Sequence, residues 1–215
     1  MRITTIFTLL LLFASACTPV SAANPTPTNL ADTQLSLTPT AITLNGDCGL
    51  EPVEAPNLPD TIPAYGEIDP ATGLHMTGEA LEVDLDSYRL KVSGLVDNPL
   101  SLTYDQLRCL PKVSDDPLLD CPGFFQDKAT WAGASLSAVL TLAQPQADAS
   151  KISMVSADGY RTEMDLEQAW EDWNFLAYEL EGEPLPALHG FPVRAVFPGL
   201  YGSYWAKWLV EIEIK

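Results

Sequence analysis

Three basic side chains, His189, Arg194 and Lys207, fall in one stretch of this sequence, Glu183-Pro184-Leu185-Pro186 through Trp205-Ala206-Lys207-Trp208. Its prolines and glycines fix turns, so the three side chains stand on a rigid loop between strands. An arginine fork and a lysine point charge together suit a phosphate group. The same stretch also reads as an ordinary loop whose cations pair with the many carboxylates, and on spacing alone this second reading is the stronger.

The four cysteines, Cys17, Cys48, Cys109 and Cys121, carry a second signal. If Cys17 is consumed by lipidation, an odd number remains, and in an oxidising compartment the leftover thiol asks for a role. Pairing Cys48 with Cys109 leaves Cys121 as a soft metal ligand. A Cys109–Cys121 bridge, or buried thiols throughout, are the alternatives. No C-x-x-C occurs and the chain has two histidines, so nothing resembles a zinc site.

These residues need a scaffold. Residues 88–92 alternate as a strand, and 118–121 form a brief apolar strand stopped by Pro122-Gly123. Strands are also predicted over 151–156, 175–180, 193–197 and 210–214. Thr103 with Gln106 forms a capping-box pattern for a short helix ended by Pro111, and Asp165 with Gln168 forms another. Ser135 caps a helix that buries Leu136, Val139, Leu140 and Leu142. Short strands mixed with short helices, without regular βαβ repetition, predict an α+β fold.

The chain begins with Met1-Arg2, an apolar run from Ile6 to Phe13, and Ala14-Ser15-Ala16 before Cys17. That is the layout of a secretory signal, residues 1–16, too short to span a bilayer. It also resembles a bacterial lipobox, although Ala14 stands where Leu is usual; cleavage nearby, after Ala22 or Ala23, is the alternative. Residues 17–80 read as a Thr- and Pro-rich tether followed by an acidic, Pro-rich extension, and residues 81–215 as one globular domain. The expectation is an exported lipoprotein, held to a membrane by a lipid on Cys17, in the periplasm or at the cell surface. The net charge of −18 argues against a nucleic-acid partner.

Four ordered blocks, "RLKVSGLVDNPLSLTYDQL", "LLDCPGFFQDKATWAGASL", "SADGY" and "GEPLPALHGFPVRAVFPGLYGSYWAKWLVEIEI", resemble the oxidoreductase molybdopterin-binding domain. That is the family of sulfite oxidase and of a periplasmic methionine sulfoxide reductase subunit, and the similarity covers residues 88–214. The resemblance implies a sulfite-oxidase-like α+β fold of mixed sheets with short helices, without a C-terminal immunoglobulin-like domain. It implies molybdenum bonded to molybdopterin, oxygen-atom transfer, a small-molecule substrate and a separate electron-transfer protein. It makes Cys121, ahead of Trp131-Ala132-Gly133, the metal ligand. Ser156, His189, Arg194, Trp205, Ala206 and Lys207 become cofactor-binding positions, and Tyr160 and Arg161 join Cys121 as candidate catalytic residues.

The departures are equally specific. Sulfite oxidases follow the cysteine with Gly-Asn-Arg-Arg, whereas Cys121 is followed by Pro122-Gly123-Phe124-Phe125-Gln126. Cations for an anionic substrate would have to come from Arg161 or Lys128. His75 is the nearest counterpart to an N-terminal cofactor-contacting segment. Cofactor-loaded proteins leave the cytoplasm folded, through a twin-arginine signal, and here Arg2 stands alone. Reduction of an S-oxide or N-oxide is therefore expected over sulfite oxidation. The alternative is a cofactor-free binding module that keeps Cys121 as a vestige.

Overall fold

A computed structural model describes residue 44 and residues 48–215 of the chain. The expected signal peptide, the lipidation site at Cys17 and the tether over 18–43 lie outside the described residues. Twelve strands and three helices run in the order β1 (Leu90–Gly94), β2 (Leu100–Leu102), α1 (Tyr104–Arg108), β3 (Lys112–Asp115), β4 (Leu118–Cys121), β5 (Phe125–Lys128), β6 (Trp131–Ser135), α2 (Leu136–Ala143), β7 (Lys151–Ser156), β8 (Arg161–Asp165), α3 (Leu166–Ala169), β9 (Phe175–Leu180), β10 (Glu183–Pro184), β11 (Arg194–Val196) and β12 (Leu209–Ile214). The architecture is α+β, with the helices no longer than α2.

One sheet has the order β2-β1-β12-β7-β8, and its β1–β12 pair is parallel while the rest is antiparallel. A second has the order β10-β9-β6-β3 with β11 also on β9, and β4 and β5 form a separate two-stranded ribbon. Composition explains which strands are central. The β9 residues Phe175, Leu176, Ala177 and Tyr178 are all buried, as befits a strand paired on both edges. Neighbouring β6 is Trp-Ala-Gly-Ala-Ser, and a Cβ at Gly133 would lie 1.9 Å from the Leu176 carbonyl oxygen. Only glycine lets β6 approach β9 so closely.

Local signals set the helix ends. Thr103 and Gln106 complete the capping box of α1, and the Ser135 hydroxyl accepts from the Ala138 N–H at 3.3 Å to open α2. Asp165 stands at the N-cap of the expected short helix α3 without a side-chain cap bond; its carboxylate pairs instead with Lys151 of the adjacent strand at 2.7 Å.

Packing extends upstream of residue 81, where the globular part was expected to begin. Asp69, Leu74 and Met76 are buried, and a small hairpin pairs Ile68 with His75. A Cys48–Cys109 disulfide ties the upstream segment to the end of α1, and Cys121 keeps its thiol free. Polar composition hid this strap, because its anchors are buried polar and long-range contacts rather than a periodic apolar face. Among the described residues, no helix is long and apolar enough to cross a membrane.

Candidate active site

The β4–β5 ribbon turns at Pro122 to Phe124 and places Cys121 opposite Phe125. The ribbon leans on a short 3₁₀ turn, Gly202–Tyr204. Gly202 is the point of contact: a Cβ there would lie 2.5 Å from the Cys121 sulfur. The missing side chain at 202 is what leaves the thiol room. Cys121 opens onto a cavity of ≈ 420 Å³ whose inner wall includes Ser156, Arg194, Trp205, Ala206 and Lys207.

Arg194, at the start of β11, is 4% exposed and lies over the rings of Trp131 and Trp205, 4.8 and 5.7 Å from their centroids. Its Nε has no hydrogen-bond partner, and its Nη1 reaches only the His189 carbonyl oxygen at 3.5 Å. Burial pulls its pKa down to about 10. Lys207 follows a similar plan. It donates to the Leu188 carbonyl oxygen at 2.8 Å and to that of Thr77, and sits 4.4 Å over the Trp208 ring. Burial, with Arg194 nearby, brings its pKa down to about 7, against an opposing pull from Asp158. Ser156, at the end of β7, is buried with its hydroxyl unpartnered.

Two buried cations and two orphaned polar atoms in one cavity are costly for a protein by itself. The arrangement has the donors and charge to suit an anionic partner in the cavity. Burial pushes the Cys121 thiol above its usual pKa, with Arg194 pulling the other way. A thiol so placed is no ready nucleophile, but a bound metal would strip its proton.

His189 takes another role. It does not line the cavity. It is 1% exposed, with Nε2 2.9 Å from Asp69 Oδ2 and 2.8 Å from Thr72 Oγ1. Burial and the Arg194 charge lower its pKa to about 4, so the neutral ring donates to Asp69. Burial pushes the Asp69 carboxyl up, but bonds from the Ala71 N–H, His189 and Thr72 outweigh it and hold the carboxyl below its ordinary range. This pair fixes the turn whose carbonyl groups, at Leu188 and His189, meet Lys207 and Arg194. His189 is thus a positioning residue.

Tyr160 lines the cavity, and its hydroxyl donates to the Ser203 carbonyl oxygen at 2.6 Å. Arg161 does not: it is exposed and pairs with Glu213 at 3.2 Å. The alternation of β8 turns the side chain at 161 away from the cavity that Tyr160 faces. Lys128 pairs with Asp116 at 2.7 Å on the surface. His75 stacks on Phe125, ring centroids 4.3 Å apart, with Nδ1 2.6 Å from Asp127, so it buttresses the cavity wall from behind. Tyr65, Thr77, Gly78, Gly202 and Trp208 were not singled out by the sequence. Gly202 and Trp208 left a trace as members of the C-terminal block, and the positive φ of Trp208, 47°, turns the chain before β12.

Comparison with known proteins follows the same lines. Residues 77–215 match the family described as oxidoreductase molybdopterin binding domain. The chain is 31% identical over 131 residues to the uncharacterized oxidoreductase YuiH of Bacillus subtilis, covering 60% of this chain and 66% of that one. It is 32% identical over 136 residues to a putative protein-methionine-sulfoxide reductase subunit of Azospira oryzae, covering 63% and 52%. It is 32% identical over 166 residues to the sulfite oxidase of Arabidopsis thaliana, covering 60% and 42%. The chain therefore spans less than two thirds of the length of each of these relatives. The crystal structure of the sulfane dehydrogenase SoxCD from Paracoccus pantotrophus shares the fold, with a TM-score of 0.64, 20% identity and coverage of 89% and 59%.

Proposed function

The chain belongs to the oxidoreductase molybdopterin binding domain family, and from that premise we propose that it is a molybdenum–molybdopterin oxidoreductase reducing a small S-oxide or N-oxide. The observation that carries the reading is the convergence of the Cys121 thiol, the orphaned Arg194 Nε and Ser156 Oγ, and Lys207 on one cavity. These donors fit the group. A soft thiolate suits molybdenum, and the buried cations with an unpartnered hydroxyl suit an anionic pterin phosphate. Such a group, when bound, supplies two-electron oxygen-atom transfer.

The chain's own residues do the rest. Cys121 would ligate the metal, with Gly202 keeping space beside its sulfur. Arg194 and Ser156 would bond the phosphate end, and Lys207, with two of its three N–H bonds committed to carbonyl groups, would give the third. His189 and Asp69 hold the turn that aims both cations. Tyr160 pins the Gly202–Tyr204 turn, and Phe125, partly buried opposite Cys121, gives the thiol side an apolar wall.

The net reaction takes two electrons and two protons, converts the oxide to a thioether or amine, and releases water. The electrons would come from a separate electron-transfer protein. The choice of oxide over sulfite rests on the wall beyond Cys121. A dianion entering a dry pocket needs several charge-assisted bonds, and Phe125 and Gln126 stand where cations would be needed. We propose that the protein is exported and anchored by a lipid on Cys17; the Cys48–Cys109 disulfide supports the export, since such bonds persist in oxidising compartments.

The test is to load the protein with cofactor and compare kcat/KM for a sulfoxide and an amine N-oxide, using a reduced artificial donor, with that for sulfite, using an artificial acceptor. The proposal expects oxide reduction to dominate. Efficient sulfite oxidation that slows as ionic strength rises would overturn it.

A further inference from the structure

Four aromatic side chains that line the cavity are also exposed: Phe124 at 81%, Tyr65 at 69%, Tyr201 at 56% and Tyr160 at 45%. Single exposed rings are ordinary, but four around one opening form a patch. They come from four separate parts of the chain, so no single loop explains their gathering. The charged groups are sorted along the same axis. Arg194 and Lys207 are buried in the inner wall, whereas Asp158 is exposed and lines the outer part. One Asp158 oxygen accepts from the Tyr160 N–H at 2.9 Å, and the other is 3.8 Å from where a Cβ on Gly78 would stand. Tyr65, Asp158 and Cys121 all act electrostatically on the Tyr160 hydroxyl, so these groups are close neighbours at the mouth. Among the described residues, the cation that acts on Asp158 is Lys207, which is buried in the inner wall and held by the Leu188 and Thr77 carbonyl oxygens.

Exposed rings beside an exposed carboxylate, with both cations of the cavity buried in its inner wall, describe a receptor for positive charge. A quaternary or protonated nitrogen gains from any aromatic face within ~6 Å. Asp158 adds a direct attraction, and a net charge of −18 draws cations toward the whole protein. We propose that this rim selects S-oxides or N-oxides that carry a quaternary or protonated nitrogen beside the oxide. The inference rests on the cavity being the oxygen-atom-transfer site proposed above and names its preferred substrate class. The oxide group, itself uncharged, would face Cys121, and the cationic substituent would lodge among Tyr65, Phe124 and Tyr201 with Asp158.

The binding test uses the full chain and two probes of equal shape, choline and its carbon isostere dimethylbutanol, followed by calorimetry or ligand-observed NMR. At low ionic strength choline should bind on the order of tenfold more tightly. Added salt and Asp158→Asn should each shrink that preference, and Phe124→Leu with Tyr65→Leu should lower choline affinity more than dimethylbutanol affinity. In turnover by the loaded protein, Asp158→Asn should raise KM for an ammonium-bearing sulfoxide while leaving KM for a neutral sulfoxide in place. Equal affinity for the two isosteres, or tighter binding of dimethylbutanol, overturns the inference and makes the rim a purely apolar surface. Absence of turnover with every oxide strikes instead at the parent reading, and the binding comparison still decides the character of the rim.

Discussion

The inner wall of the cavity and its rim are built on opposite plans. On the inner wall, Arg194 and Lys207 are desolvated, stacked on tryptophans and given carbonyl partners, yet donor atoms remain unused. On the rim, aromatic rings face water beside a carboxylate, and the exposed cations Lys128 and Arg161 are committed elsewhere, to Asp116 and Glu213. Burial of a cation is costly and is retained where an anion repays it, so the wall reads as the seat of a permanent anionic group. The rim, left wet and adaptable, reads as the place where the exchangeable ligand enters.

That contrast can be broken at the wall first. Arg194→Met keeps the volume but removes a charge-assisted donor set, typically ~1.5–3 kcal/mol or on the order of tenfold or more in cofactor affinity. Thermal stability should stay level or rise, because the replacement needs no desolvated charge. The check is cofactor content after dialysis alongside the melting temperature; a large fall in the second with the first intact would make Arg194 structural.

The strap that supports the wall comes next. Cys48→Ser with Cys109→Ser opens a loop of sequence separation 61 that carries Asp69, His75 and Thr77. Chain entropy assigns such a link about 4 kcal/mol. Denaturant unfolding should show that loss, while Arg194 variants show none of it.

A smaller effect follows from His189. Its folded pKa of about 4 lies below the ordinary histidine value of 6.5. Between those values the unfolded chain takes up a proton that the native ring refuses, so stability is full above the upper value and falls as the pH drops toward the lower one. Asp69, held below its usual range, adds loss of the same sign at still lower pH. His189→Asn should flatten the slope between pH 6.5 and 4, read from urea midpoints across that window. An unchanged slope would mean that another group controls the acid transition.

The least effect is expected at the surface. Arg161→Ala, which breaks an exposed pair with Glu213, should change stability by ~0–1 kcal/mol and leave turnover nearly unchanged. A strong KM effect for an anionic substrate would return Arg161 to the site.

How far these regions could be read in the sequence follows the same divide. Cys121, Ser156, Arg194 and Lys207, singled out by the family resemblance and not by spacing alone, lie on β4, β7, β11 and the approach to β12 and line one cavity. Arg161 misled because its charge suggested a substrate contact, whereas strand alternation sends it to the opposite side from Tyr160. Strands β3, β5, β6 and β8 left weak signals: β6 after Trp131 is built of small residues that allow close approach, and the edge strands are polar. The strap was illegible for a different reason. The bonds of Asp69 to His189 and of Thr77 to Lys207 span more than half the domain's sequence, and nothing in local composition announces them.

The most direct test is the molybdenum centre itself, measured on full-length protein made in a host that supplies the cofactor. Metal and pterin analysis should find about one of each per chain, and X-ray absorption at the molybdenum edge should show one more sulfur neighbour in the native protein than in Cys121→Ser. Purified protein with no molybdenum or pterin, folded and still able to bind the rim probes, would contradict the account and make the chain a cofactor-free binding module; an unchanged sulfur count in Cys121→Ser would remove Cys121 as the ligand.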